Sequence, residues 1–163
     1  WGSNSYGQLG LGNTTSINMP ASVKGLTGVK QLATGNSHTL ALMEDGTVKA
    51  WGSNSSGQLG LGDTTNRNIP TIITSLSGVK QLATGYAHTI GLMEDGTVKT
   101  WGYNNYGQLG LRDTTNRNMP TTVIGLTGVK QIVAGNSHTL ALMEDGTVKA
   151  WGSNSSGQLG LGN

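Results

Sequence analysis

Three histidines are the first residues to weigh for chemistry: His38, His88 and His138, spaced 50 residues apart. A metal site would need several of their nitrogens within about 2.1 Å of one ion. One imidazole per repeat, on packed sheets about 10 Å apart, cannot converge that way. The expected role is structural, with each imidazole satisfying a backbone group of its own repeat. A Ser-His-Asp triad would draw on Ser37, His38 and Asp45, but the second repeat carries Ala87 where the serine would stand. Catalysis is therefore not expected. The acidic pairs Glu44-Asp45, Glu94-Asp95 and Glu144-Asp145 lack the further carboxylates of a calcium loop. Gly-Gln-Leu-Gly-Leu-Gly at 7–12 is followed by no Lys-Ser/Thr, as a phosphate loop requires. No cofactor and no metal are expected.

What remains is recognition. The chain has four tyrosines, Tyr6, Tyr86, Tyr103 and Tyr106, and three arginines, Arg67, Arg112 and Arg117. Both types are enriched where protein surfaces bind. Trp1, Trp51, Trp101 and Trp151 recur at one repeat position. They are expected as anchors in the core or between repeats, with sugar stacking as the alternative. Asn13, Asn54 and Asn154 stand in Asn-x-Ser/Thr sequons.

The elements that must position these residues repeat every 50 positions. Units 1–50, 51–100 and 101–150 are followed by a partial unit, 151–163, together read as one domain. The first unit agrees with the second at 34 of 50 positions and with the third at 38, without insertion or deletion. Each unit reads as four short strands. Strand A is expected at Val29–Thr34, strand B at His38–Met43 and strand C from Thr47 to about Gly52. Strand D follows Pro20, roughly from Ala21 to Lys24, and belongs at a sheet edge because proline lacks an N–H. Asp45-Gly46 between strands B and C suggests a two-residue hairpin with both residues at positive φ.

The fold class expected is all-β, with β-propeller blades of four antiparallel strands. The β-helix is the alternative. Two blades are complete, at about 29–74 and 79–124. A leading strand D and a trailing A-B-C set leave the ring incomplete, unless the chain is part of a longer one or copies assemble. Two copies joined head to tail would make six blades, so a homo-oligomer, a dimer first, is expected. In an up-and-down blade the A–B and C–D loops emerge on one face. That face would carry all four tyrosines and all three arginines.

The residues Trp51-Gly52-Ser53-Asn54-x-x-Gly57-Gln58-Leu59-Gly60, Pro70, Gly78-Val79, Gly85-x-x-His88-Thr89 and Asp95-Gly96-x-Val98 resemble the regulator of chromosome condensation type repeat. The resemblance covers the whole chain and implies a propeller, commonly of seven blades. Known members include a nuclear exchange factor for a small GTPase, a plant ultraviolet-B photoreceptor and an inhibitor of β-lactamase. The resemblance does not extend to photoreception, because Asn36, Tyr86 and Asn136 stand where the chromophore tryptophans would. It carries no loop elaboration or basic terminal segment of the exchange factor's kind.

Composition narrows the partners. Cysteine is absent, charged residues are 11%, and glycine is 27 of 163. Ten Lys and Arg are spread singly, so nucleic acid is not expected. No apolar run is long enough for a membrane helix. The sequence opens on Trp1 inside the repeat pattern, so any targeting segment is expected to lie outside it, and the Asn/Ser/Thr/Gly-rich loops lean towards a bacterial surface or secreted protein. The function expected is a non-catalytic, protein-binding or self-assembling scaffold. A guanine nucleotide exchange factor and a carbohydrate-binding module are the alternatives.

Overall fold

In the computed structural model, which describes residues 1–162, β-branched and aliphatic segments form three sheets of antiparallel strands. Asn163, the last residue of the expected single domain, lies outside the described residues. The first sheet holds β1 (Val29–Thr34), β2 (His38–Met43), β3 (Val48–Gly52) and β4 (Arg67–Ile72), in that order. The second holds β5 (Val79–Thr84), β6 (His88–Met93), β7 (Val98–Gly102) and β8 (Arg117–Thr122). The third holds β9 (Val129–Ala134), β10 (His138–Met143) and β11 (Val148–Gly152). The first strands of successive sheets, β1, β5 and β9, neighbour one another, so they line the inner edge of an arc of blades. No helix is present among the described residues. The result is an incomplete all-β propeller, as the repeat pattern implied.

The core lies between blades. One cluster joins Leu40, Leu42 and Val48 of the first blade to Leu82, Met93 and Trp101 of the second. A second joins Ile90, Leu92 and Val98 to Ile132, Ala141 and Met143. This explains why β6 is buried along its whole length, having a blade on either side. β10 alternates instead, because only one of its faces is covered among the described residues.

Two expectations change. The fourth strand does not lie over 21–24. In the complete blades it starts earlier in the repeat, at Arg67 and Arg117. The corresponding stretch of the first unit makes only an isolated bridge, Gly2 to Ile17. Pro70 sits inside β4 rather than before it. The register skips between Ala50 and Gly52, so the proline falls at a bulge on an edge strand, where its missing N–H leaves no ladder bond broken.

The second change is the B–C turn. Its loop is three residues, Glu44-Asp45-Gly46, closed by Gly46 N–H to Met43 C=O at 3.0 Å and Met43 N–H to Thr47 C=O at 2.9 Å. Only Gly46 has positive φ, +82°. This is a type I turn ending in a left-handed glycine. Asp45 keeps an ordinary φ because its carboxylate accepts bonds from the Thr47 amide (2.9 Å) and hydroxyl (2.7 Å). Strand C accordingly begins at Val48, one residue later than expected.

Candidate binding face

The blades are stitched by side chains whose register the strands set. A bulge at Lys30 turns Gln31 towards the next blade. There its amide donates to Leu82 C=O (2.8 Å) and accepts from Leu82 N–H (3.0 Å). Gln81 makes the same pair with Ile132. Trp51, Trp101 and Trp151 are inter-blade anchors, Trp51 Nε1 donating to Gln8 C=O at 2.9 Å, Trp101 Nε1 to Gln58 C=O at 3.0 Å and Trp151 Nε1 to Gln108 C=O at 3.0 Å, whereas Trp1 is exposed and anchors nothing among the described residues. Gly10 and Gly60, both at positive φ, lie against the Trp51 and Trp101 indoles where a Cβ would collide.

The histidines do not bond their own blade's backbone. His38 Nε2 meets Thr89 Oγ1 of the next blade at 3.1 Å, and His88 meets Thr139 at 3.2 Å. Thr89 spends its hydroxyl proton on Gln58 C=O at 2.8 Å. Nε2 must therefore carry the imidazole proton and donate to the threonine. Nδ1 of both rings is buried without a partner. Desolvation, with a smaller contribution from the neighbouring histidine, pushes the pKa of His38 down to about 3 and that of His88 to about 4. Both rings are neutral seam pieces packed over Gly35 and Gly85, where any side chain would overlap the imidazole.

Asn54 organises the C–D loop. Its amide nitrogen donates to Asp63 C=O and its oxygen accepts from Leu59 N–H, each at 3.0 Å. Asn4 and Asn104 do the same in their units. Asn54 is fully buried, so that sequon is closed to modification in the folded state. The motif that signalled this role was the Trp-Gly-x-Asn spacing, which sequence reasoning used only for recognition.

Of the seven candidate residues, the tyrosines converge best. Tyr6, Tyr86 and Tyr103 line one cleft of about 340 Å³ with Asn36 and Ser37 of the A–B loop and Ser55 and Gln58 of the C–D loop. A–B and C–D loops thus share a face, as strand parity implied. Tyr106 packs edge-on against Tyr103, ring centroids 6.3 Å apart. The arginines do not line this cleft, although Arg67 lines a neighbouring cavity with Tyr6. Arg67 and Arg117 fold back on Asp63 and Asp113 at 2.6 Å and also donate to Thr65 and Thr115 carbonyls, bracing their own loops. The Arg67 guanidinium, then the Thr65 amide, holds the Asp63 carboxyl below its ordinary range, and the Thr115 amide, then the Arg117 guanidinium, does so for Asp113. Arg112 and Arg117 line a separate cavity with Thr121 and Ile124. Arg112 has φ +64° at a position where the other units place glycine.

Among the described residues no group of three His, Cys, Asp or Glu could hold a metal ion, and no helix is long and apolar enough to cross a membrane.

The model of the regulator of chromosome condensation (RCC1) repeat matches residues 1–42, 45–92 and 95–142, and a second model of that repeat matches 29–58, 79–108 and 129–158. The ultraviolet-B receptor UVR8 of Arabidopsis thaliana is 41% identical over 52 residues, 31% of this chain and 12% of that protein. Among solved structures, human WBSCR16 is similar at TM-score 0.79 and 30% identity, covering 91% of this chain and 40% of that one. Prp20p of Saccharomyces cerevisiae, whose structure was described with its binding to Gsp1p and histones, superposes at TM-score 0.84 with 24% identity, over 100% of this chain and 42% of that one. Yeast RCC1 (Prp20) bound to Kap60 matches at TM-score 0.71 and 32% identity, over 81% of this chain and 31% of that one. The chain spans less than half the length of each of these proteins.

Proposed function

The chain belongs to the regulator of chromosome condensation repeat family, and from that premise we propose that it is a non-catalytic, protein-binding propeller scaffold. Its working face is the one formed by the A–B and C–D loops. The observation that carries this reading is the convergence of Tyr6, Tyr86 and Tyr103 on one cleft of that face. Tyrosine offers a large, rigid contact area for few rotatable bonds. The opposite face repeats Glu-Asp-Gly-Thr in every unit and spends the Asp and Thr side chains on its own turns. A relative at 32% identity is a protein whose recorded partner, Kap60, is also a protein.

Association between copies is a second part of the same reading. Leu32 is 57% exposed while its counterparts Leu82 and Ile132 are 2% and 0% exposed. At the other end Val148 is 63% exposed while Val48 and Val98 are fully buried. Each end therefore shows the surface that the internal seams bury, and a further unit of the same sequence fits it. A second copy of the chain would supply one.

The face is tested by selecting a random-peptide display library on the full chain, against a Tyr6→Ser, Tyr86→Ser, Tyr103→Ser variant. Binders that lose affinity on the variant support the reading. An empty selection, or binders indifferent to the variant, refutes it. Light scattering after size exclusion tests association: a sharp species at twice the monomer mass supports it, and a concentration-independent monomer removes it.

A further inference from the structure

The tyrosine cleft has a chemical character that narrows its occupant. No charged side chain lines it, and its only aliphatic residue is Ala87. An acidic or basic peptide, or a phosphate, would be desolvated there without a counter-charge. A Leu or Phe anchor would find no apolar hole of its own size. What the cleft offers is three phenol rings with serine and amide groups between them.

The hydrogen-bonding inventory narrows it further. The Gln58 amide oxygen accepts from Ser56 N–H at 2.9 Å, and its nitrogen donates to Ser53 Oγ at 3.3 Å. The Asn36 nitrogen donates to Ser37 Oγ at 3.1 Å. The hydroxyls of Tyr6, Tyr86 and Tyr103 make no hydrogen bond among the described residues. The groups left for a ligand are thus mainly hydroxyls, each able to donate. Each such proton calls for an acceptor on the ligand.

We propose that this cleft binds an uncharged, proline-bearing peptide segment in the polyproline II conformation. The inference rests on the protein-binding reading above and names the class of partner. Proline has no N–H, and the carbonyls of a polyproline II segment have no internal partner, so the peptide presents acceptors outward. Its ring faces pack on aromatic side chains, the mode by which aromatic-lined grooves take such segments. Because the segment is already extended in solution, a shallow cleft loses little to ordering it. Tyr106, edge-on to Tyr103, holds that wall in place.

The test is isothermal titration of the full chain with a capped polyproline peptide, a capped Gly-Ser peptide of equal length, and maltotriose. The polyproline peptide is expected to bind at least about tenfold more tightly than the Gly-Ser peptide, and Tyr86→Ala to weaken it by about tenfold or more. Tyr86→Phe, which keeps the ring and removes only the hydroxyl, is expected to weaken it by a smaller factor. Unchanged tryptophan fluorescence in both variants shows that the seams at Trp51 and Trp101 are intact. Affinity should be flat from about 50 to about 500 mM NaCl, since no charge is involved. Equal affinity for the two peptides, binding that falls with salt, or tyrosine-dependent binding of maltotriose overturns the proposal. Display selections that reach the tyrosine face without proline would overturn it while leaving the protein-binding reading standing; an empty selection would remove both.

Discussion

Acidification from pH 7 to pH 5.5 should destabilise the blades through two histidines. His38 and His88 are neutral in the fold, with pKa values of about 3 and about 4 against an ordinary 6.5. Below pH 6.5 the unfolded chain takes up protons that the native chain refuses. Stability therefore rises with pH across this window and is lost as pH falls below 6.5, until the folded values are reached. Each group is worth a little over about 1 kcal/mol per pH unit in that window, so the pair costs about 3 kcal/mol at pH 5.5. With a urea m-value of about 2 kcal/mol/M, the midpoint should fall by about 1.5 M. The carboxyls of Asp45, Asp95 and Asp145, lowered chiefly by hydrogen bonds from threonines 47, 97 and 147, contribute in the same direction only at lower pH. The window from pH 7 to 5.5 thus isolates the imidazoles. Urea titrations at several pH values, on the native chain and on a His38→Gln, His88→Gln variant, give the answer. A flat midpoint in the native chain, or an equal slope in the variant, would refute the neutral-seam argument.

Three further outcomes follow from single residues. Arg112→Gly should raise stability by about 1 kcal/mol, or about 2–4 °C in thermal midpoint, because it removes a side chain from left-handed backbone; calorimetry reads it. Gln81→Ala strips partners from the Ile132 N–H and C=O at once and should cost about 1–3 kcal/mol, with faster hydrogen exchange at the Ile132 amide. Asn54→Ala should cost about 2 kcal/mol and release the Leu59 amide to exchange, with the Asn104 loop unaffected.

Much of the fold was legible because the repeat displays the same strand three times. Val29–Thr34, a β-branched segment between Gly28 and Gly35, and His38–Met43, a nearly continuous apolar run, are legible to the residue. Strand D was misplaced because its sequence is the least apolar of the four and its pairing depends on a bulge, which leaves no periodic mark. The hairpin was misread because Asp-Gly fits both a two-residue turn and the last two residues of a three-residue one, and the Asp45–Thr47 bonds decide between them. The histidine role was half visible: burial followed from the apolar run, but the partner lies one blade away and nothing local points to Thr89. The gathering of tyrosines on one face followed from strand parity alone. Their division from the arginines did not, because Arg67 and Arg117 are drawn aside by aspartates four residues earlier.

The seam bonds also set how far along the chain any part must reach in order to fold. Gln31 to Leu82, Gln81 to Ile132, His38 to Thr89 and His88 to Thr139 each span 51 residues, Trp51 to Gln8 spans 43, and Thr89 to Gln58 spans 31. None of these bonds skips a unit. A blade can therefore dock as soon as its predecessor exists, and the loop closed at each docking stays the same size however many blades the chain contains. Lengthening such a protein by duplicating a unit reproduces every seam in register and adds no longer-range contact. Folding order and growth by repetition are, in this architecture, consequences of the same spacing.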